Sequence, residues 1–273
     1  VSLRKISGAW GGIVQFSAAD DHYDQRDLGL YRRNNFLKQY AKITYGNYQP
    51  NGNRLYTYAD FSVENTMLNF PRRWESLQLV AYGETMFKNR LTLGASFFSR
   101  PFWFYDYYEP RVWGKKYYHA PYAFITPQIT TDVRKRLFAT LELSFGESPI
   151  KNDPYIGMQI QPTFVASDHL RLTGRYNLSK DHSNFGAVNW QNPGDIIFGR
   201  RNITTFDNSI SVEYLFTPRM SASIRARHYW AQLYYHEYLH LNDDGTFSPS
   251  AWTGSADENF NLFNVDFVYT WQF

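Results

Sequence analysis

Cysteine is absent from the 273 residues, which removes any disulfide framework and any thiolate metal site. That absence is compatible with export through an oxidising periplasm. Long apolar runs are missing as well. No window approaches the 18 or more uncharged apolar residues that a spanning helix needs, and the mean hydropathy of −0.51 excludes a helical membrane protein. A β-barrel escapes this test, because lumen-facing and lipid-facing residues alternate and average to a polar composition. A strong charge of one sign is lacking too. Lys and Arg number 28 against 25 Asp and Glu, a net +3 spread along the chain, which offers no nucleic-acid surface. The chain opens Val1-Ser2-Leu3-Arg4 without an initiator Met or an apolar signal segment. It is read as an excised piece of a longer protein, so the missing signal says nothing about export.

Aromatic residues are what the chain has in excess: 22 Tyr, 22 Phe and 8 Trp, or 19% of all positions. A soluble core needs far fewer. About a dozen segments alternate with strand periodicity, and almost none with helical periodicity. In the clearest, Phe263, Val265, Phe267, Tyr269, Trp271 and Phe273 alternate with Asn264, Asp266, Val268, Thr270 and Gln272. Leu137, Ala139, Leu141, Leu143 and Phe145 alternate in the same way with Phe138, Thr140, Glu142, Ser144 and Gly146. A period of two sends each set to its own face of a sheet. One face is oily and the other carries charges of both signs.

The connections alternate independently. Short turns are expected near Pro50–Asn53, Lys88–Arg90, Asp132–Arg136, Ser167–His169 and Thr217–Arg219. Longer loops are expected at Ala19–Asn35, Tyr107–Ala120, Ser148–Pro154, Asp181–Asn202 and Leu239–Asn259, with the shorter Phe70–Trp74 in the same series. Tight turns at one end and larger loops at the other suit a barrel with periplasmic turns and external loops. Closing such a meander also hides the sheet edges, which lipid demands. Aromatics around Phe102–Tyr105, Tyr107-Tyr108, Tyr117-Tyr118, Tyr122, Tyr229-Trp230 and Tyr234-Tyr235 read as one interfacial girdle. Tyr45, Tyr48, Trp271 and Phe273 read as the other. Pro101, Pro127 and Pro162 fall inside strand segments, where bulges or local loss of pairing are expected.

Several groups invite a chemical reading. His236-Glu237-Tyr238-Leu239-His240 matches the zinc-protease pattern letter for letter, but that chemistry needs a helix to bring both imidazoles to one metal. Here the motif continues a strand pattern, where residues four apart are separated by roughly 13 Å. Lys38, Lys42, Asp60, Glu64, Glu84, Glu142, Arg171, Arg175, Glu213, Arg225, Arg227 and Asp266 fall opposite the oily positions. They would line either a polar pore or a lumen laced by ion pairs, and the mixed signs favour the latter. Trp113, Trp190 and Trp252 sit in long loops, Trp190 beside Asn189, Gln191 and Asn192. Aromatic platforms with amide neighbours suit sugar rings; packing on the barrel rim is the plainer use. Asp243-Asp244-Gly245 reads as a turn rather than a calcium loop. No one pair of carboxylates is marked out for glycoside hydrolysis.

Further stretches are familiar together: Asp27-Leu28-Gly29 with Arg33-Asn34-Asn35, Phe198-Gly199-Arg200-Arg201-Asn202, and Ile224-Arg225-Ala226-Arg227-His228-Tyr229-Trp230. Leu241-Asn242-Asp243-Asp244-Gly245-Thr246 and the segment from Phe263 to Phe273 complete the set. The chain resembles the large C-terminal domain of unknown function in bacterial outer-membrane proteins that carry an N-terminal family-nine-type carbohydrate-binding module. The resemblance implies an outer-membrane barrel attached to a sugar-binding module, with further strands beyond the position of Phe273. It carries no catalytic residues. The expectation is thus an all-β, antiparallel up-and-down transmembrane β-barrel over residues 1–273, about twelve strands and incomplete. It would act in the bacterial outer membrane as anchor or conduit for a carbohydrate-handling protein, without catalysis, cofactor or metal. Its partners would be outer-membrane lipid and, through the attached module, an oligosaccharide or polysaccharide, with no nucleic acid. The alternatives are a soluble carbohydrate-binding β-sandwich and a hydrolase acting on glycans.

Overall fold

The computed structural model describes residues 1–23, 34–148, 154–192 and 194–272. Of the sequence features above, Asp27-Leu28-Gly29, Arg33, Phe273 and most of the Ser148–Pro154 loop lie outside them. Strand alternation becomes strand throughout. The order is β1 (Ser2–Lys5), β2 (Trp10–Ala19), β3 (Phe36–Asn47), β4 (Arg54–Leu68), β5 (Arg73–Phe87), β6 (Thr92–Arg100), β7 (Phe104–Asp106) and β8 (Tyr117–His119). There follow β9 (Tyr122–Thr130), β10 (Leu137–Glu147), β11 (Tyr155–Val165), β12 (Leu170–Asn189), β13 (Ile197–Thr217), β14 (Met220–Leu241), β15 (Phe247–Pro249) and β16 (Glu258–Trp271). Twelve of these are nine residues or longer, the number that periodicity predicts.

All but β7 and β8 join one antiparallel sheet, in which each long strand lies beside the next in sequence. β7 and β8 pair only with each other, as a hairpin within the connection from β6 to β9. Among the described residues the sheet is open. β1 pairs with β2 alone, and β16 with β14 alone. The described strands thus form a single open, fourteen-stranded antiparallel sheet, in which the all-β expectation holds and closure is not seen.

Register fixes the two faces. Residues directly opposite in an antiparallel pair share a face. Lys42, Ser62, Val80, Phe98 and Phe124 are successive partners across β3, β4, β5, β6 and β9. Four residues along β9, Gln128 leads through Glu142, Gln159, Asn177, Asp207 and Tyr229 to Leu262. No bulge interrupts this path, so one parity runs across the sheet. The opposite parity carries Val14, Ile43, Phe61, Phe97, Ile125, Phe145, Ile160, Ile210, Ile224 and Phe267, every one of them exposed. No second layer covers that face among the described residues. A sandwich would bury it.

The loop alternation holds, with two corrections. The connection expected at Asp181–Asn202 is mostly strand, because β12 runs to Asn189 and β13 begins at Ile197. Pairing continues past a register shift between Asp181 and Asn184. Likewise β14 extends to Leu241, and β15 occupies part of the following loop. Pro127 and Pro162 interrupt pairing locally. β9 loses its partners on β10 between Gln128 and Ile125, and β11 loses those on β12 between Ile160 and Thr163, in both cases without a change of register. Pro101 follows the end of β6.

The main buried core sits at the long-loop end. Phe104, Tyr117, Ala120, Ile196, Ile197, Phe198 and Leu241 are buried there. Phe104 and Tyr117 are thus core of a loop cap, not members of a lipid-facing girdle. Phe102, Tyr108 and Tyr234 remain exposed at that end, as do Tyr48 and Trp271 at the other.

Candidate functional site

The polar face and the loop cap at its rim hold the chemistry. All twelve charges singled out by alternation share the face traced above: even-numbered positions on β3, β4, β5, β10 and β16, odd-numbered ones on β12, β13 and β14. Six are cationic and six anionic, so they cancel. Four of them pair across neighbouring strands. Lys38 bonds Glu64 at 3.1 Å, and Lys42 bonds Asp60 at 3.1 Å. Tyr56 and Tyr82 donate to Glu84 at 2.9 and 2.6 Å, while Gln128 donates to Tyr82 at 3.0 Å. Arg175 grips Gln159 through two nitrogens, at 3.0 and 2.7 Å.

Arg227 makes a two-pronged contact with Asp207, at 3.0 and 2.9 Å. Asp207 is missing from the sequence-derived set, although Phe206 and Ile210 on either side give it the same alternation as Glu213. Arg171 lies opposite Glu213, and Arg225 lies between Ser211 and Asp266. Charges of both signs thus interlock across the face.

At the rim, the hairpin β7–β8 and its flanks fold over the extended ends of β12 and β13. Tyr117 packs on Phe198 and Phe247, and Phe185 stacks on Phe247 at 5.3 Å. Polar ties add to the packing. Ala187 N–H donates to Glu109 at 3.0 Å, Tyr118 N–H donates to the Gly245 carbonyl at 2.8 Å, and Lys115 pairs with Asp243. Gly245 has φ of +92°, with its would-be Cβ 3.2 Å from the Lys116 carbonyl oxygen, so the turn read from Asp243-Asp244-Gly245 is one only glycine fits. The Lys115 ammonium holds the Asp243 carboxyl below the usual carboxylate range, and hydrogen bonds from Thr246 do the same for Asp244.

The three loop tryptophans part company. Trp113 stands free in the β7–β8 connection, 84% exposed. The Arg111 guanidinium covers Trp190 at 4.3 Å, and Trp252 is wedged edge-on against Tyr238 at 4.4 Å. Two of the three are therefore rim packing. His236 and His240 lie in β14, not on a helix: His236 rests against Tyr234, and His240 meets Asp195 at 3.0 Å. A strand bulge between Tyr235 and Glu237 separates the paired positions around the motif. Among the described residues, the one cluster whose ligand atoms converge is Asp20, Asp21 and His22, all exposed.

Sequence reasoning had no signal for the rim cluster. Its members come from β8, β12, β13, β14 and β15 and the segments beside them, and only the fold brings them together. No helix among the described residues is long and apolar enough to cross a membrane. The profile of the family described as Domain of unknown function (DUF5916) matches residues 1–273, and the chain belongs to that family. No curated protein and no solved structure matches it.

Proposed function

We propose that this member of a family of unknown function forms the wall of a transmembrane β-barrel in the bacterial outer membrane. The observation that carries the reading is one continuous antiparallel sheet with an uncovered apolar face and an ion-paired polar face. A water-facing sheet of this breadth would leave a very large apolar patch in solvent. Hydrocarbon removes that cost, and the alternate positions then face the lumen. Strand length fits: a tilted crossing needs about 9 to 11 residues, and the twelve long strands run from 9 to 22. β12, β13 and β14 exceed the crossing length and carry the loop cap outside it.

In this reading the partner is outer-membrane lipid, and the domain anchors or conducts for a carbohydrate-handling protein without catalysing a reaction. The neutralised lumen supports anchoring over charge-selective transport. Membrane fractionation of the whole protein, with protease mapping of the loop around Asp243 on intact cells, tests both compartment and topology. The protein should partition with outer membranes and be cut near Asp243 from outside. A detergent-free, soluble, monomeric preparation would overturn the assignment.

A further inference from the structure

The small net charge of the chain hides a polarity along the strands. In an antiparallel meander every second connection falls at the same end, and the six short ones here join β1 to β2, β3 to β4, β5 to β6, β9 to β10, β11 to β12 and β13 to β14. These turns, with the strand residue on either side of each, hold Lys5, Arg54, Lys88, Arg90, Arg134, Lys135, Arg136 and Arg219. Only Asp132 and Asp168 oppose them. Eight cations against two carboxylates leave six positive charges at this end; with a total of +3, the rest of the chain sums to −3. One ion pair forms there among the described residues, Arg134 gripping Asp132 at 2.9 and 2.7 Å. The Lys5 ammonium bonds the Ser7 and Trp10 carbonyls, while Lys88, Lys135, Arg136 and Arg219 are exposed without a carboxylate partner among the described residues.

We propose that this basic rim docks on the headgroups of anionic phospholipid, in the leaflet at the short-turn end. The inference rests on the membrane reading above. Distribution decides the partner. Successive short turns stand two strands apart, about 10 Å, so a compact anion reaches one or two of them, whereas a plane of lipid phosphates meets all six. The cations also sit directly beside exposed apolar residues: Tyr48 and Val133 in the turns, Leu137 and Trp271 on the apolar face. Such a mixture suits the boundary between acyl chains and headgroups, where Lys and Arg stems lie along apolar surface and their charges reach the phosphates. A soluble polyanion would leave those apolar side chains in water.

Electron spin resonance of the whole protein in phosphatidylcholine vesicles, with trace spin-labelled phosphatidylglycerol or phosphatidylcholine, reads the relative association of the two lipids. The phosphatidylglycerol label should be favoured about threefold or more in about 10 mM NaCl, and the excess should fade in about 1 M NaCl. Lys135→Gln, Arg136→Gln and Arg219→Gln combined should cut the excess by about half or more, and Arg72→Gln, in the loop at the opposite end, should leave it unchanged. Equal association of the two labels, an excess that survives high salt or the triple substitution, or as large a loss in Arg72→Gln would each overturn the inference and leave the membrane reading intact. A protein that enters no vesicle and restricts no lipid would overturn both.

Discussion

Placing an arginine on the apolar face separates lipid from water as its surroundings. Leu141 is the fifth of eleven residues in β10, flanked on its face by Ile129 and Ile160 across the neighbouring strands. At roughly 3.3 Å per residue, it lies about 13 Å along the strand from Leu137. A tilt near 45° makes that about 9 Å of depth, most of the half-height of an apolar band about 25 Å tall. Leu141→Arg should therefore cost about 2–4 kcal/mol, and Leu137→Arg, beside the turn, about 0–1 kcal/mol. On a face bathed in water, both changes would stay within roughly 0.5 kcal/mol. Urea-dependent folding of the whole protein into phospholipid vesicles measures the two costs, with Glu142→Gln as the polar-face control. Equal costs for Leu141→Arg and Leu137→Arg would refute the lipid-facing reasoning.

Other perturbations probe the polar face and the cap. Gly146→Ala drives a methyl into the Phe124 ring and should cost about 1–3 kcal/mol; adding Phe124→Leu should recover much of it in the same unfolding assay. A double-mutant cycle on Asp207 and Arg227, whose side chains are 34% and 45% exposed, should give a coupling of only about 0.2–1 kcal/mol that fades with salt. The Asp243 carboxyl is depressed by Lys115, so its tie to the cap is present above the ordinary carboxylate pKa and lost as pH falls through the lowered one. Limited proteolysis should cut the loop around Asp243 more slowly at neutral pH and down to about pH 4 than below it, and Asp243→Asn should be cut at the faster rate throughout. His236→Ala and His240→Ala should leave the metal content by plasma spectrometry unchanged, whereas loss of a stoichiometric zinc from either would reinstate the hydrolase alternative.

Much of the sheet was legible because strand alternation is a local property. A side chain's face depends only on whether its position is odd or even, and tight turns such as the one between β13 and β14 pass that parity on. Lys38 and Asp266, at opposite ends of the sheet, could therefore be assigned to one face without knowing which strands touch. The same logic fails where parity breaks. Bulges after Asp181 and at His236 are set by pairing with β13, and the polar, Asn-containing run from Asp181 reads locally as loop although its partners keep it in the sheet. The rim cluster escaped for a related reason. Tyr117, Phe198 and Phe247 carry no shared spacing, and chain folding alone makes them neighbours. Sequence by itself thus determined strand identity, the two faces and the order of turns, all consequences of interactions between residues close along the chain. The tertiary structure decided which charges pair, how far β12 to β14 reach, how the cap docks and that the described strands form an open sheet, because each depends on contacts between residues dozens of positions apart.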